Sequence, residues 1–445
     1  MGTELRTPRA KASIYPDISS ADPRDIHTVR PTVVTAEAPA APDLRRLTIQ
    51  RAVDIALRQN PQIRALRNEL EANLERIVEA ESLPDPTFNA SIFLEQIQTA
   101  AGQQELVAAL SQRIPWLEKL AEAGDAQAAT ASAVAARLQD AILDVANQTR
   151  IAYLELYYVD QSLRRLRELE QLVDTQLIPD IREKIRVGQA GLESLYEAET
   201  QLELLRNQIR ALHGQRDAVV ARLLSIMGIT ETVTVELAVA ALPPYDPPHR
   251  AELFDTLEEH PLLVARASET DAQRHRVRLA DLELVPDFTI GVQWSAISSS
   301  GISPVANGND AVAAVVGLNL PIYLDRINAR RRAARADLAR LENLEELTLL
   351  QLQEQLDAAF SELNARHAQR VREEESILPR LRQAIEVGRE AYRVGRITTE
   401  QYIQLWRELI TEEVRLYRLL TEEYQALSRV ERWSGRPVFP GREPQ

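Results

Sequence analysis

Two successive stretches of this sequence carry the same motifs in the same order, and this repeat limits the possible folds more than any other feature. The motifs are a residue–proline pair, a Pro-Asp pair, an apolar residue before proline, a Val-Gly pair and a closing glycine. Corresponding positions lie 200 to 207 residues apart and are Asn60 and His260, Asp85 and Asp287, Ile114 and Leu320, Val187 and Val394, and Gly228 and Gly435. Such self-similarity predicts two copies of one structural unit.

The hydrophobic period changes in the same places in both copies. A helical pattern from 117 to 187 predicts one long helix, in which Leu163, Leu166 and Leu169 belong to an apolar seam that continues to Ile185. At ~1.5 Å per residue this helix would be ~100 Å long, which is too long for a compact domain. Before it, residues 88–95 alternate between apolar and polar side chains, and this alternation predicts a β-hairpin.

The repeat predicts one elongated protomer rather than several separate domains. An extended proline-rich arm (1–46) comes first, and a tail (436–445) comes last. The first repeat (47–242) has a β-hairpin (87–115), a long helix (117–187) and a return helix (192–227). After a linker (243–250), the second repeat (251–435) has a β-hairpin (287–321), a long helix (325–393) and a return helix (398–433). The proline before the second Val-Gly pair lies seven residues further from it, and one heptad keeps a coiled-coil seam in register.

The composition excludes several classes of protein. A hydrophobic fraction of 45% argues against wholesale disorder, and the absence of cysteine excludes disulfides, thiolate metal sites and cysteine nucleophiles. A net charge of −14 argues against nucleic acid as a partner. No apolar run reaches about 18 residues, so no transmembrane helix is predicted. The first residues lack the apolar core of a secretory signal, and composition does not choose between a cytosolic and an exported protein.

The four strands of one chain are too few to form a barrel that encloses a lumen, because a barrel of about eight strands only just has room for side chains in its interior. Three copies would supply twelve strands and leave no open edge. Strands of about ten residues also match the thickness of a bilayer when they are tilted. Two water-soluble hairpins that cap a helical bundle fit the same pattern, so both interpretations stay open at this stage.

Several motifs resemble the TolC-like outer membrane factor family, and most closely its Cus/Czc heavy-metal-efflux type. They are Ala56-Leu57-Arg58-Gln59-Asn60-Pro61, LPDP at 83–86, LSQRIPW at 110–116 and YRVGRITTEQYIQL at 392–405, and the resemblance covers 47–435. It implies a homotrimer with a twelve-stranded β-barrel in the outer membrane of a Gram-negative bacterium, in contact with its lipid. A twelve-helix tunnel would continue the barrel into the periplasm, where most of the chain would lie.

The predicted fold class is mainly α with a small β part, with long antiparallel helical coiled-coil hairpins and four β-strands per chain. The resemblance implies a passive exit duct of a tripartite efflux pump, for metal ions or small molecules, with a periplasmic adaptor (membrane fusion protein) and an RND-type inner-membrane transporter as partners. The alternative is a non-transporting coiled-coil scaffold or adaptor of the cell envelope with soluble hairpins. No Walker loop, GxGxxG or nucleophilic triad is present, so no enzyme and no cofactor are predicted.

The two Val-Gly turns are the leading candidates for a functional site. Gly188 and Gly395 are explained structurally as left-handed residues at helical turns. The resemblance adds that these turns close the tunnel and receive the adaptor. The candidate residues are Val187, Gly188, Gln189, Ala190, Gly191, Val394, Gly395, Arg396 and Ile397.

Family members often carry pore-lining aspartates beyond the second turn, and the matching positions here are Gln401 and Gln404, beside Glu400. The first copy has Ser194 and Glu197. The absence of the aspartates argues against a strongly acidic gate. The glutamates either supply negative charge in three copies or belong to a solvated helix face.

Two further expectations concern aromatic residues and metals. Trp116 and Tyr323 follow the returning strands and are predicted either as membrane-interface aromatics or as helix-start packing. The six histidines include no pair spaced by three or four, and Met227 is the only methionine after Met1, so no metal site is predicted.

Overall fold

The computed structural model describes residues 44–231, 233–238, 241–299, 301–302, 305 and 307–440. Most of the predicted arm and the last five residues lie outside this part. The elements of the first copy are β1 (Arg45–Leu47), α1 (Ile49–Gln59), α2 (Pro61–Glu81), β2 (Thr87–Thr99), β3 (Gly102–Ile114), α3 (Leu117–Leu172), α4 (Ile178–Arg186), α5 (Leu192–Ile226) and β4 (Glu236–Leu237). Those of the second copy are α6 (Arg250–Phe254), α7 (Pro261–Asp281), β5 (Phe288–Ile297), β6 (Ala311–Leu318), α8 (Leu324–Arg372), α9 (Leu378–Arg393) and α10 (Thr399–Ser434).

The starts of α2 and α7 show why the residue before each proline recurs. Asn60 Oδ1 accepts hydrogen bonds from the amides of Gln62 and Ile63, and His260 Nδ1 accepts one from the Leu262 amide. Both residues therefore cap the helix that follows them. On their other side, Asn60 Nδ2 donates to the Ile226 carbonyl at 2.9 Å, and His260 Nε2 lies 3.1 Å from the Arg432 carbonyl. Each short helix is thereby joined to the end of a return helix.

Both long helices contain a π-helical segment that periodicity did not predict. The segments are Val173–Leu177 and Glu373–Ile377, and each lies just before Pro179 or Pro379. A proline lacks the amide hydrogen for an α-helical bond and its ring clashes with the preceding turn, which a π segment accommodates. The first long element has parts of 56, 5 and 9 residues, and the second has parts of 49, 5 and 16. The two totals are equal, so the extra heptad is a shift of the proline along a helix of constant length.

The four long strands form one antiparallel sheet in the order β2-β3-β5-β6. Its register aligns Phe88 with Leu110, Leu110 with Val292, and Val292 with Ala314. Up to the register shifts after Ile92 and before Leu106, the even-numbered residues of the four strands therefore share one face. That face is apolar and exposed, with Ile92 and Val316 each 74% accessible. The other face carries small and polar residues such as Thr289 and Ser111. One side of the sheet therefore needs an apolar neighbour.

The fold class is confirmed as mainly helical, with long antiparallel hairpins and four strands in one sheet. The largest core cluster lies midway along the helices, where Tyr153 is fully buried and its hydroxyl donates to the Leu47 carbonyl. Part of the predicted tail also belongs to this core, since Phe439 is buried and its amide donates to Glu431. No helix in the described ranges is both long and apolar enough to cross a membrane.

Candidate functional site at the helical tips

The two Val-Gly turns have the same hydrogen-bonding pattern. Gly188 has φ +75° and donates to the Ile185 carbonyl, while Gln189 donates to the Lys184 carbonyl. Gly395 has φ +74°, and its turn repeats both bonds at equivalent positions. This is the Schellman pattern, in which a left-handed glycine allows two otherwise unpaired helix carbonyls to be satisfied. The sequence prediction of left-handed glycines at both turns is confirmed.

The turns present an open surface. A Cβ atom added to Gly188 or Gly395 would meet nothing within 4 Å, and Val187 and Val394 are 54% and 61% exposed. Gln189 and Arg396 are exposed, Ala190 and Ile397 are half-buried, and Gly191 is the N-cap of α5. A side chain at Gly188 or Gly395 would therefore strain the backbone without clashing with neighbouring atoms. The tips are therefore available to a partner, and adaptor docking there stays a prediction.

A polar contact that sequence reasoning missed joins the two hairpins near the tips. The Tyr392 hydroxyl on α9 donates to Asp180 Oδ2 on α4 at 2.7 Å. Lys184 Nζ, also on α4, lies 3.3 Å from the centre of the Tyr392 ring and 3.1 Å from the same carboxylate. The Tyr392 ring stacks on Tyr402 of α10, with centroids 4.9 Å apart and an interplanar angle of 6°. We call these four residues the tip contact.

The electrostatics of the tip contact keep the phenol neutral. Burial raises the pKa of Tyr392 above its ordinary value, and the neighbouring Asp180 carboxylate raises it further, although Lys184 and Thr399 act in the opposite direction. A neutral phenol has the hydrogen that Asp180 accepts. The contact therefore holds the two hairpins together through a hydrogen bond to a charged group, which is stronger than a neutral one.

A second contact between the hairpins lies further along the return helices. Arg407 on α10 donates to the Gln201 side chain on α5. Beside it, a cleft of 290 Å³ lies between α3, α5 and α10 and is lined by apolar residues that include Leu204 and Ile403. The residues around the cleft belong to one apolar cluster that includes Leu205 of the first hairpin and Ile403 and Ile410 of the second. Separation of the hairpins would therefore expose apolar surface as well as break the polar contacts.

The five gate candidates lie near the starts of the two return helices, three on α10 and two on α5. Gln401 accepts from the Thr398 amide and completes a capping box at the start of α10, so its side chain is directed at its own helix. Gln404 bonds to Glu408 and Arg407 on the surface of α10, and Glu400 is exposed. Ser194 and Glu197 are half-buried on α5. Which of them face a pore stays a prediction.

Trp116 and Tyr323 are the N-caps of α3 and α8, at the junction between strands and helices. Trp116 is 41% exposed, its ring lies 6.5 Å from Phe288, and its amide donates to Asp287. Tyr323 is 68% exposed and lies 5.9 Å from the Arg326 guanidinium. The Trp116 ring lies beside Phe288 of the exposed apolar sheet face. Contact of either ring with a membrane interface stays a prediction.

One group of side chains has the chemistry of a metal site. Glu122 and Asp125 on α3 and His275 on α7 have potential ligand atoms within 4.8 Å of one another. The spacing argument did not identify the group because its members lie on two different helices. His275 Nδ1 is 2.7 Å from Glu122 Oε2, and Arg278 also donates to Glu122. The Glu122 carboxylate of this group thus already contacts two side chains of α7.

No protein-family model matches this sequence, and no curated protein matches it significantly. Solved structures do match. The Campylobacter jejuni CmeC outer membrane channel has a TM-score of 0.73 at 16% identity, over 99% of this chain and 96% of that one. The outer-membrane channel OprN has 0.72 at 18%, over 99% and 100%. CusC, described with transmembrane channel formation, has 0.68 at 14%, over 90% and 98%. The chain has the fold of the TolC-like outer membrane factors. CusC is thus among the matching structures, and the closer resemblance to the Cus/Czc type stays a prediction.

Within the TolC-like fold, the Val-Gly turns lie at the ends of the helical hairpins furthest from the sheet. The apolar sheet face and the tip contact are thus at opposite ends of the protomer.

Proposed function

We propose that this chain is the protomer of a passive homotrimeric duct that spans the outer membrane of a Gram-negative bacterium. The observation that carries the proposal is the sheet β2-β3-β5-β6, which has one continuous exposed apolar face and two edges without a strand partner in the described part of the chain. Lipid satisfies the face, and neighbouring copies satisfy the edges, because a closed antiparallel barrel has no unpaired strand. The similar structures are named as channels, and none of the three is named as an enzyme.

The duct works as the exit of a tripartite pump, with a periplasmic adaptor and an RND-type inner-membrane transporter as its partners. It exports metal ions or small molecules and performs no chemistry on them. Docking of the adaptor at the Val-Gly turns separates the hairpins, and energy comes from the transporter. The tip contact is the part of this chain that the adaptor must break.

A pair of neighbouring lysine variants on β5 tests the membrane assignment against the scaffold alternative. Val292 lies on the apolar face and is 55% exposed, while Gln293 lies on the opposite face. A lysine on a lipid-facing strand position costs about 2–4 kcal/mol near the bilayer centre. We therefore expect Val292→Lys to reduce the heat-stable, membrane-extracted oligomer strongly and Gln293→Lys to leave it close to wild type.

Conductance of the purified oligomer in planar bilayers is the companion measurement. We expect channels from the wild type and from Gln293→Lys. A protein that is monodisperse in buffer without detergent, and indifferent to Val292→Lys, would instead be a soluble scaffold, since a lysine on a solvated strand costs little.

A bulky side chain at the second turn tests the proposed adaptor site. Gly395→Trp costs about 1–2 kcal/mol of backbone strain but has free space around it, so the oligomer should still assemble. We expect export to fall to the level of a deletion strain, because the indole occupies the docking surface. The matched control is Gly214→Trp on α5, an exposed glycine that also has free space for a side chain. Normal export and adaptor co-purification with Gly395→Trp would contradict the assignment.

A further inference from the structure

Three side chains with metal-binding chemistry converge where the first copy of the repeat packs against the second. Glu122 and Asp125 lie three positions apart on α3, and His275 lies on α7, which packs along α3. Each residue offers one oxygen or nitrogen atom, and the three atoms lie within 4.8 Å of one another. Ligand atoms bonded to one tetrahedral zinc ion at about 2.0–2.2 Å lie about 3.3–3.6 Å apart, so side-chain movements of about 1 Å would complete such a group.

The imidazole of His275 has carboxylates beside both of its nitrogen atoms. Nδ1 lies 2.7 Å from Glu122 Oε2, and Nε2 lies 3.9 Å from Asp271 Oδ2, one helical turn earlier on α7. A metal-binding histidine usually directs its second ring nitrogen at a carboxylate, a carbonyl or a water, which fixes the tautomer and orients the ring. Asp271 is placed to accept that hydrogen, which leaves Nδ1 to face the ion.

The two oxygens of the Glu122 carboxylate have separate partners. Arg278 donates to Oε1 at 3.4 Å, whereas Oε2 faces His275. Arg278 therefore anchors the carboxylate without occupying the oxygen that faces the imidazole, and such outer contacts are usual for ligand carboxylates. The side chains of His275 and Glu122 are only 15% and 14% exposed, so water competes little for an ion held between them.

A cleft of 1130 Å³ between α3, α7 and α8 connects this group to solvent, and Asp125 and His275 belong to its lining. A cleft lined mainly by one sign of charge raises the local concentration of counter-ions. The cleft is therefore an entry path for a cation, which a metal site requires. Against Arg274 and His275, its lining has six carboxylates, which are Asp125, Glu258, Asp271, Glu342, Glu345 and Glu346.

Comparison of the two copies shows that these helices do not need ligand side chains in order to fold. From the first residues of the helices, α8 follows α3 at an offset of 207, and α7 follows α2 at an offset of 200. The positions equivalent to the three candidate ligands hold Ala329, Arg332 and Glu75. One is apolar, one is cationic and none is a histidine. Helix formation by itself therefore does not explain the set of ligands in the group.

We propose that Glu122, Asp125 and His275 bind one divalent transition-metal ion of the zinc type per chain, with Asp271 orienting the imidazole. One imidazole and two carboxylates suit such an ion, and a water on the side of the cleft completes the tetrahedron. The bound ion joins α3 to α7 and thereby ties the two copies of the repeat together. The site lies within one chain and does not depend on the duct.

Zinc titration of the full chain, purified in detergent and freed of metal with a chelator, tests the site. We expect isothermal titration calorimetry with excess Mg²⁺ present to give one Zn²⁺ per chain. Asp271→Asn retains all three ligands and should weaken binding about 10–100-fold, while His275→Ala and Asp125→Asn should weaken it by more than about 100-fold. Zn²⁺ should also raise the denaturant midpoint of the wild type and not that of His275→Ala, because a ligand of the folded state stabilises it.

The matched control is His249→Ala, which removes an exposed histidine outside the group and should bind Zn²⁺ like the wild type. Asp125→Asn is nearly isosteric and keeps the test decisive if His275→Ala does not fold, as judged by circular dichroism. Absence of saturable Zn²⁺ binding by the folded wild type would overturn the site. Binding that Mg²⁺ displaces, or that neither Asp125→Asn nor a folded His275→Ala weakens, would also overturn it and leave only general attraction of cations to the acidic cleft.

Discussion

Replacement of Tyr392 by phenylalanine should open the duct. The variant retains the ring that stacks on Tyr402 and loses only the hydroxyl that donates to Asp180. A hydrogen bond to a charged group contributes about 1.5–3 kcal/mol, and the 46% exposure of Asp180 reduces this to about 1 kcal/mol per protomer. A trimer that opens as a unit loses the bond three times, so the open-to-closed ratio should rise about 100-fold. Single-channel conductance in planar bilayers measures this change.

The matched control for Tyr392→Phe is Tyr196→Phe. Tyr196 lies near the other tip, is 64% exposed and has no stacked ring within the described residues. We expect its conductance to match the wild type. A double-mutant cycle with Asp180→Ala separates the hydrogen bond from other effects, because Tyr392→Phe should change little once the carboxylate is absent. Independent and additive effects of the two substitutions would show that the tip contact does not hold the hairpins closed.

Removal of the Glu423 carboxylate should be the most destabilising change in the helical part of the chain. Glu423 on α10 is fully buried and accepts from the Arg370 guanidinium at 2.5 Å and the Tyr245 hydroxyl at 2.7 Å, with His367 Nδ1 at 2.8 Å. Breaking a buried ion pair from one side costs about 3–5 kcal/mol. Arg370 would lose its buried partner and keep only the exposed Glu374 among the described residues. We expect Glu423→Ala to lower the denaturant midpoint of helix unfolding accordingly, measured by circular dichroism in detergent.

Glu374→Ala is the control on the same guanidinium. Glu374 Oε2 lies 2.7 Å from Arg370 Nη1, but its side chain is 57% exposed. An exposed pair contributes about 0–1 kcal/mol, so this variant should unfold close to the wild type. Equal losses from the two alanine variants would mean that burial of Glu423 has no special cost. In that case the Glu423 cluster, which consists of Glu423, Arg370, Tyr245 and His367, would not be what joins α10 to α8 and to the chain around Tyr245.

Motifs along the chain were sufficient to predict the repeat, the four strands and the two left-handed glycines. Each single motif behind these predictions consists of residues that are close together in the sequence. The even-numbered apolar residues of a strand share a face because strand side chains alternate, and Gly188 and Gly395 are needed because only glycine enters the left-handed region without strain.

The tip contact, the Glu423 cluster and the interhelical group around His275 could not be predicted in the same way. Tyr392 and Asp180 are 212 residues apart, and their meeting depends on how two hairpins are rotated and shifted relative to each other. The prolines beside the π-helical segments are visible in the sequence. The structure was needed to show the segments themselves and the equal length of the two long helices.

By itself, the sequence determined the order of helices and strands, the duplication and the positions of the turns, because periodicity and glycine or proline chemistry act locally. Only the tertiary structure decided which side chains meet between the hairpins and which face of the duplicated unit lacks a neighbour. Those properties depend on the relative register of packed helices and strands, and one sequence pattern is compatible with many registers until the whole core is packed.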